Sequence, residues 1–142
     1  MDPHTLFSIF EQGDEEVYEE HNMKELLENP FVLMGMVVRG VQNYHLMDIL
    51  NLKHWGEKYE EVRFKVKYKY FNKLYGYLQR VDRTKFESKY TIGESFDKGE
   101  VMNSLSTLMG FFETFEEYEK CAVIKKYSDF LTIETEDIVK VS

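Results

Sequence analysis

Four histidines and one cysteine are the residues of this chain best suited to metal binding or nucleophilic chemistry, and their spacing favours neither. None of His4, His21, His45 and His54 has a glutamate three residues before it, which removes the Glu-x-x-His pairs of a di-iron bundle. No two stand four apart, as a helical zinc site requires. His45 with Asp48, and His54 with Glu57, read as ion pairs on a helix surface. Cys121 falls on an apolar helical stripe and reads as a small buried hydrophobe. Gly93-Glu94-Ser95-Phe96-Asp97 has the outline of a nucleophile elbow, but Asp97 stands where the sharp turn needs glycine. Asp97-Lys98-Gly99-Glu100 lacks the ligand spacing of a calcium loop, and there is no glycine loop to cradle phosphate. The expectation is a non-enzymatic protein with no catalytic residue, metal or cofactor.

Binding chemistry is better represented. In Val62–Tyr70, Arg63, Lys65, Lys67 and Lys69 alternate with Val62, Phe64, Val66, Tyr68 and Tyr70, and Lys73 follows. Cations that neutralise phosphate beside rings that stack on bases suit a single-stranded nucleic acid. The alternative is that these lysines pair with acidic parts of the fold while the rings fill its core. A second feature is acidic: Glu11, Asp14, Glu15, Glu16, Glu19, Glu20, Glu25 and Glu28 crowd one short stretch. Such a face keeps a protein soluble, or it docks on a basic groove in place of nucleic acid.

The elements that must position these groups are helical by pattern. Residues 1–12 form a short helix or anchored arm, and Asp14 is placed to cap a helix reaching about Asn29. Asn29-Pro30 reads as a cap with proline in the first turn. Phe31, Leu33, Met34, Val37, Val38 and Val41 then make Pro30–Asn43 the most buried helix, with room to continue through Tyr44–Leu52. Lys53–Tyr59, with Trp55 and Gly56, reads as a junction. Val62–Tyr70 alternates like a strand. Yet Phe64, Phe71, Tyr75 and Leu78 align at helical spacing, and we read helix. Arg83–Glu100 carries loop signals in Thr91, Gly93, Ser95, Asp97 and Gly99. Beyond it Met102, Leu105, Leu108, Met109, Phe112 and Phe115 form one helical stripe, and Tyr118, Cys121, Ile124, Tyr127 and Leu131 another. The tail 132–142 is frayed or adds a short strand. Together these give a mainly α fold in one domain, an irregular bundle of four to six helices, with a possible minor β element at 62–70 or in the tail.

Charge is segregated along the 142 residues. The net of −8 divides into −8 for residues 1–60, +6 for 61–90 and −6 for 91–142. A pI near 5.1 weighs against nucleic acid, but the basic centre tempers that exclusion. No apolar run approaches the roughly 20 residues of a membrane span, and no basic n-region follows Met1, so the expected compartment is the cytoplasm. A single cysteine fits a reducing environment. Gly, Ala, Arg and Pro together number 15, against 54 for Phe, Tyr, Met, Ile, Asn and Lys. The first group has GC-rich codons and the second AT-rich ones, which fits a phage or low-GC bacterial gene, ordinary drift being the alternative.

One stretch resembles a known motif. Tyr118, Glu119, Lys120, Ala122, Ile124 and Lys125 match the second helix of the UVR hairpin of excision-repair subunits, aromatic-Glu-Lys-Ala-Ala-x-Leu-Arg-Asp, and Met109 keeps its distance from the aromatic. Cys121 replaces an alanine and Lys126 the aspartate. The resemblance covers residues 102–131 and implies a helical hairpin that pairs with another hairpin.

The function expected is a small acidic protein-interaction module that binds and modulates another protein, a host protein if the gene is phage-borne. Its candidate contacts are Glu15, Glu16, Glu19, Glu20, Trp55, Tyr59, Phe64 and Tyr68, since exposed rings make interface anchors. The alternatives are a single-stranded nucleic-acid binder using Arg63, Lys65, Lys67, Lys69 and Lys73 within the basic segment 62–90, and a structural homo-oligomer in which basic centre meets acidic flank.

Overall fold

Asn29 caps the first long helix, its side chain accepting the Phe31 N–H at 2.8 Å, and Pro30 occupies the first turn where its missing N–H costs nothing. The computed structural model describes residues 26–132, and what it shows is helical. After a 3-10 turn at Leu26–Glu28 come α1 (Pro30–Trp55), α2 (Glu57–Gln79), α3 (Phe86–Ser95), α4 (Lys98–Thr114) and α5 (Tyr118–Thr132). These five α-helices, with no strand among the described residues, form an all-α bundle. The arm 1–12, the acidic cluster with Asp14 and Glu15–Glu20, and the tail beyond Thr132 lie outside the described residues.

Gly56 separates α1 from α2. Its φ of 54° and ψ of −124° suit glycine alone, and the chain reverses there. The two helices return antiparallel and approach closely at Gly40, where a Cβ would lie 2.5 Å from a Leu74 methyl. The Tyr70 hydroxyl uses the same gap to donate to the Gly40 carbonyl at 2.7 Å. Val62–Tyr70 is thus in mid-helix: the helical alignment of Phe71, Leu74, Tyr75 and Leu78, all buried, outweighs the local alternation.

Arg83–Glu100 departs from the loop expected of it. Of its turn signals, Asp97 acts at the far end, capping α4 through the Glu100 N–H at 3.0 Å; the turn at the near end is made by Asp82, just before it, which accepts the Thr84 N–H at 2.9 Å. Between them Ile92 and Ser88 are buried, and that packing holds Thr91, Gly93 and Ser95 in α3 against their weak propensity.

Helices α4 and α5 form a second antiparallel hairpin, reversing at Glu116, which takes φ 58°. Cys121 donates to the Met109 carbonyl, and Ser128 reaches the Met102 sulfur. Leu105, Leu108, Phe112, Ile124 and Tyr127 are buried in the core that they share with α1 and α2. The Tyr127 hydroxyl donates to the carbonyls of Val81 and Gln79, at 2.7 and 3.2 Å, and so satisfies the end of α2.

Candidate functional site

The sequence candidates gather on the α1–α2 hairpin, and the fold sorts them into buried and exposed. Tyr59 is fully buried, which corrects its expected role as an exposed anchor. Its hydroxyl donates to Asp48 Oδ1 at 2.7 Å. Arg63 grips the same carboxylate with both prongs, Nε to Oδ1 at 3.0 Å and a terminal nitrogen to Oδ2 at 2.6 Å. Tyr44 adds a 3.5 Å contact from one turn earlier on α1. Asp48 is therefore a buried acceptor rather than a surface partner of His45. Arg63, one of the residues expected to meet phosphate, spends Nε and one terminal nitrogen on Asp48.

Charge and burial pull this cluster in opposite directions. Burial acts to raise the Asp48 carboxyl, but the Arg63 and Tyr59 hydrogen bonds and the charges of Arg63 and Lys67 prevail and hold it below the usual value. Burial, together with the hydrogen bond to Asp48, pushes Tyr59 up to about 12. Tyr44 is raised too, by burial first, and both phenols stay protonated as donors.

Tyr68 is half-buried in a second polar group, where it meets α5. Its hydroxyl donates to Glu117 at 2.9 Å, and Lys120 reaches Glu117, the Tyr68 oxygen and Asn72 at 3.2, 3.2 and 2.7 Å. The Lys120 ammonium also lies over the Phe112 ring, 4.9 Å from its centroid. Burial opposes this charge, yet the Tyr68 and Glu117 bonds leave the amine raised.

Of the expected aromatic contacts, Phe64 is the exposed one, at 66%, with its ring 5.2 Å from Phe115. Trp55 is half-buried at the end of α1, edge-on to His54. The basic residues divide as well. Lys65 and Lys69 stand exposed on α2 with Lys58, seven and four residues apart on one face, while Lys73 is half-buried. Lys67 is half-buried between the rings of Tyr44 and Phe111, 5.7 Å from each centroid. Helical winding thus turns most rings inward and the outer lysines outward, so the alternation in the sequence becomes two separate faces.

Sequence reasoning missed the most exposed apolar group. Leu46, Ile49 and Leu50 on α1 are 60%, 45% and 56% exposed and adjoin at spacings of three and four. Farther up the same helix the Phe96 ring lies against Gly35 and 5.5 Å from the Phe31 ring, which still stays 49% exposed. Ile49 stands eighteen residues after Phe31, five turns on, and Leu46 eleven after Gly35, about three turns. Phe96 shields this side only in part, and past the exposed Gln42 the apolar side chains Leu46, Ile49 and Leu50 stand exposed. Its polar neighbours on α1 are Arg39, Gln42, Asn43, His45 and Lys53, while the helix's one acid, Asp48, is buried.

No three His, Cys, Asp or Glu side chains converge to hold a metal among the described residues. No helix among them is long and apolar enough to cross a membrane. Comparison with protein-family models, curated proteins and solved structures returns no match to this chain. Among the described residues, fold and surface define a bundle of five α-helices with an exposed apolar group, Leu46, Ile49 and Leu50, edged by Arg39 and Lys53.

Proposed function

We propose that this chain is a protein-interaction module that docks an acidic, apolar-faced segment of another protein on the outer side of the second half of α1. The observation that carries the reading is the uncovered Leu46–Ile49–Leu50 stripe, since contiguous apolar side chains left in water mark binding surfaces. Arg39 and Lys53 at its edges favour a carboxylate-bearing partner by charge. If the gene is phage-borne, as its residue usage suggests, that partner is a host protein whose activity the binding redirects.

The test places a photo-crosslinking residue at Gln42, exposed one turn before Leu46, in the full chain and sequences the attached peptide. The expected result is a single partner segment rich in Asp or Glu, with the cross-link lost at least tenfold in L46D/L50D. Attachment to a second copy of this chain replaces the reading with a homo-oligomer, and capture unchanged in L46D/L50D overturns it.

Single-stranded nucleic acid is the second reading, supported by Lys58, Lys65 and Lys69 sharing one exposed face. It lacks a stacking platform on that face, because Tyr70, Phe71, Tyr75 and Tyr77 are buried.

A further inference from the structure

Between α3, the start of α4 and the end of α5 lies a cavity of about 240 Å³, lined among others by Lys89, Ile92, Phe96, Lys98, Met102 and Leu131. Lys89 is only 8% exposed, and its Nζ is sealed from solvent with no hydrogen-bond partner among the described residues. An ammonium withdrawn from water needs an anion or several acceptors in its place. The same molecule shows what a satisfied case looks like. Lys120, also partly enclosed, is given Glu117, Asn72, the Tyr68 hydroxyl and aromatic faces. Lys89 is given none of these. Glu94 also lines the cavity without forming a bond to the Lys89 amine.

We infer that this cavity binds a carboxylate carried on a short apolar group, the flexible Lys89 stem turning its amine into the cavity as ion-pair partner, with Ile92, Phe96, Met102 and Leu131 around the apolar part. Charge-assisted pairing of ammonium with carboxylate is the strong form of the hydrogen bond, and it supplies what Lys89 lacks. The volume selects the size. Sites for drug-sized ligands run from about 300 to 1,000 Å³, so this one suits a short acid or a single acidic side chain. Two sources share that chemistry. One is a free small-molecule acid. The other is this chain, which leaves α5 at Thr132 on the cavity wall and carries Glu134, Glu136 and Asp137 within the next five residues.

The test titrates the full chain with sodium hexanoate, with 1-hexanol as the neutral control. Methyl signals of Ile92, Met102 and Leu131 and the lysine Nζ signals are followed by NMR. Saturable shifts at these methyls and at Lys89 Nζ are expected, with hexanol binding at least tenfold more weakly. Lys89→Met keeps the bulk of the stem without the charge and weakens hexanoate at least tenfold. Should that variant unfold, the Lys89 Nζ signal of the unaltered protein decides. The variant E134Q/E136Q/D137N separates the sources. If the chain's own acids occupy the cavity, it binds hexanoate more tightly than the unaltered chain, and its Lys89 signal is already displaced before hexanoate is added. If the acid is a separate molecule, neither changes. No saturation in either protein, an unmoved Lys89 Nζ, or hexanol binding as well as hexanoate overturns the inference.

Discussion

The two ends of α2 bury aromatic side chains by opposite means. Toward its first turns, Tyr44 and Tyr59 aim their hydroxyls at one carboxylate that Arg63 clamps from α2. Farther along, Phe71 stacks on Phe111 at 4.6 Å, and Tyr75 meets Phe112 edge-on at 5.5 Å. Dispersion and water exclusion hold the second group, whereas the first depends on a charge staying a charge. The hairpin end is therefore held through a carboxylate whose charge answers to pH, and it is also where Leu46, Ile49 and Leu50 stand exposed on α1.

Removing a ring from the aromatic group gives the largest effect. Phe112 has no exposed surface, and Phe112→Ala is expected to cost about 3–5 kcal/mol, read as a lower urea midpoint with the slope retained. That loss is read at pH 7, because the ring also carries the Lys120 ammonium on its face and its removal disturbs that group too.

The carboxylate at the other end behaves differently. Asp48→Ala leaves the Tyr59 hydroxyl without its acceptor and Arg63 without its partner. Arg63 is 40% exposed and recovers water, so the expected cost is about 2–3 kcal/mol rather than that of a fully buried pair. Its pH dependence follows from the lowered folded value. Between that value and the ordinary one near 3.8, the unfolded chain binds more protons than the folded chain. The stabilisation is complete above the ordinary value and is lost as pH falls through the folded one. Acid urea titrations of the unaltered chain and Asp48→Asn should converge toward low pH. Parallel curves would place the stability of the hairpin end elsewhere.

How much of this was legible depends on how far apart the partners stand. The Asn29-Pro30 start and the Gly56 break are local signals, and both act where expected. The two stripes of residues 102–131 fall on α4 and α5, with Leu105, Leu108, Phe112, Ile124 and Tyr127 buried. Asp48 was weighed only against His45, three residues away; its real partners lie 11 and 15 residues on, across the turn. Tyr59 belongs to the same loss, because ring composition carries no sign of which face a neighbouring helix will cover. In α3 the turn residues were real signals, but Ile92 packing overrode those in the middle. Leu46, Ile49 and Leu50 escaped notice because an apolar residue on a helix reads as core until the fold shows which side faces water.

The smallest expected effect sharpens the comparison most. Leu50→Ala removes the same atoms as Leu108→Ala, but Leu50 is 56% exposed and Leu108 is fully buried. If the α1 stripe faces water in the free chain, Leu50→Ala shifts stability by no more than about 0.5 kcal/mol, while Leu108→Ala costs about 2–5 kcal/mol. Thermal unfolding at two protein concentrations supplies the check. A midpoint that is concentration-independent and barely moved by Leu50→Ala leaves the stripe open for a foreign partner. A midpoint that rises with concentration, and loses that rise in Leu50→Ala, means that a second copy covers it, because only association couples stability to concentration.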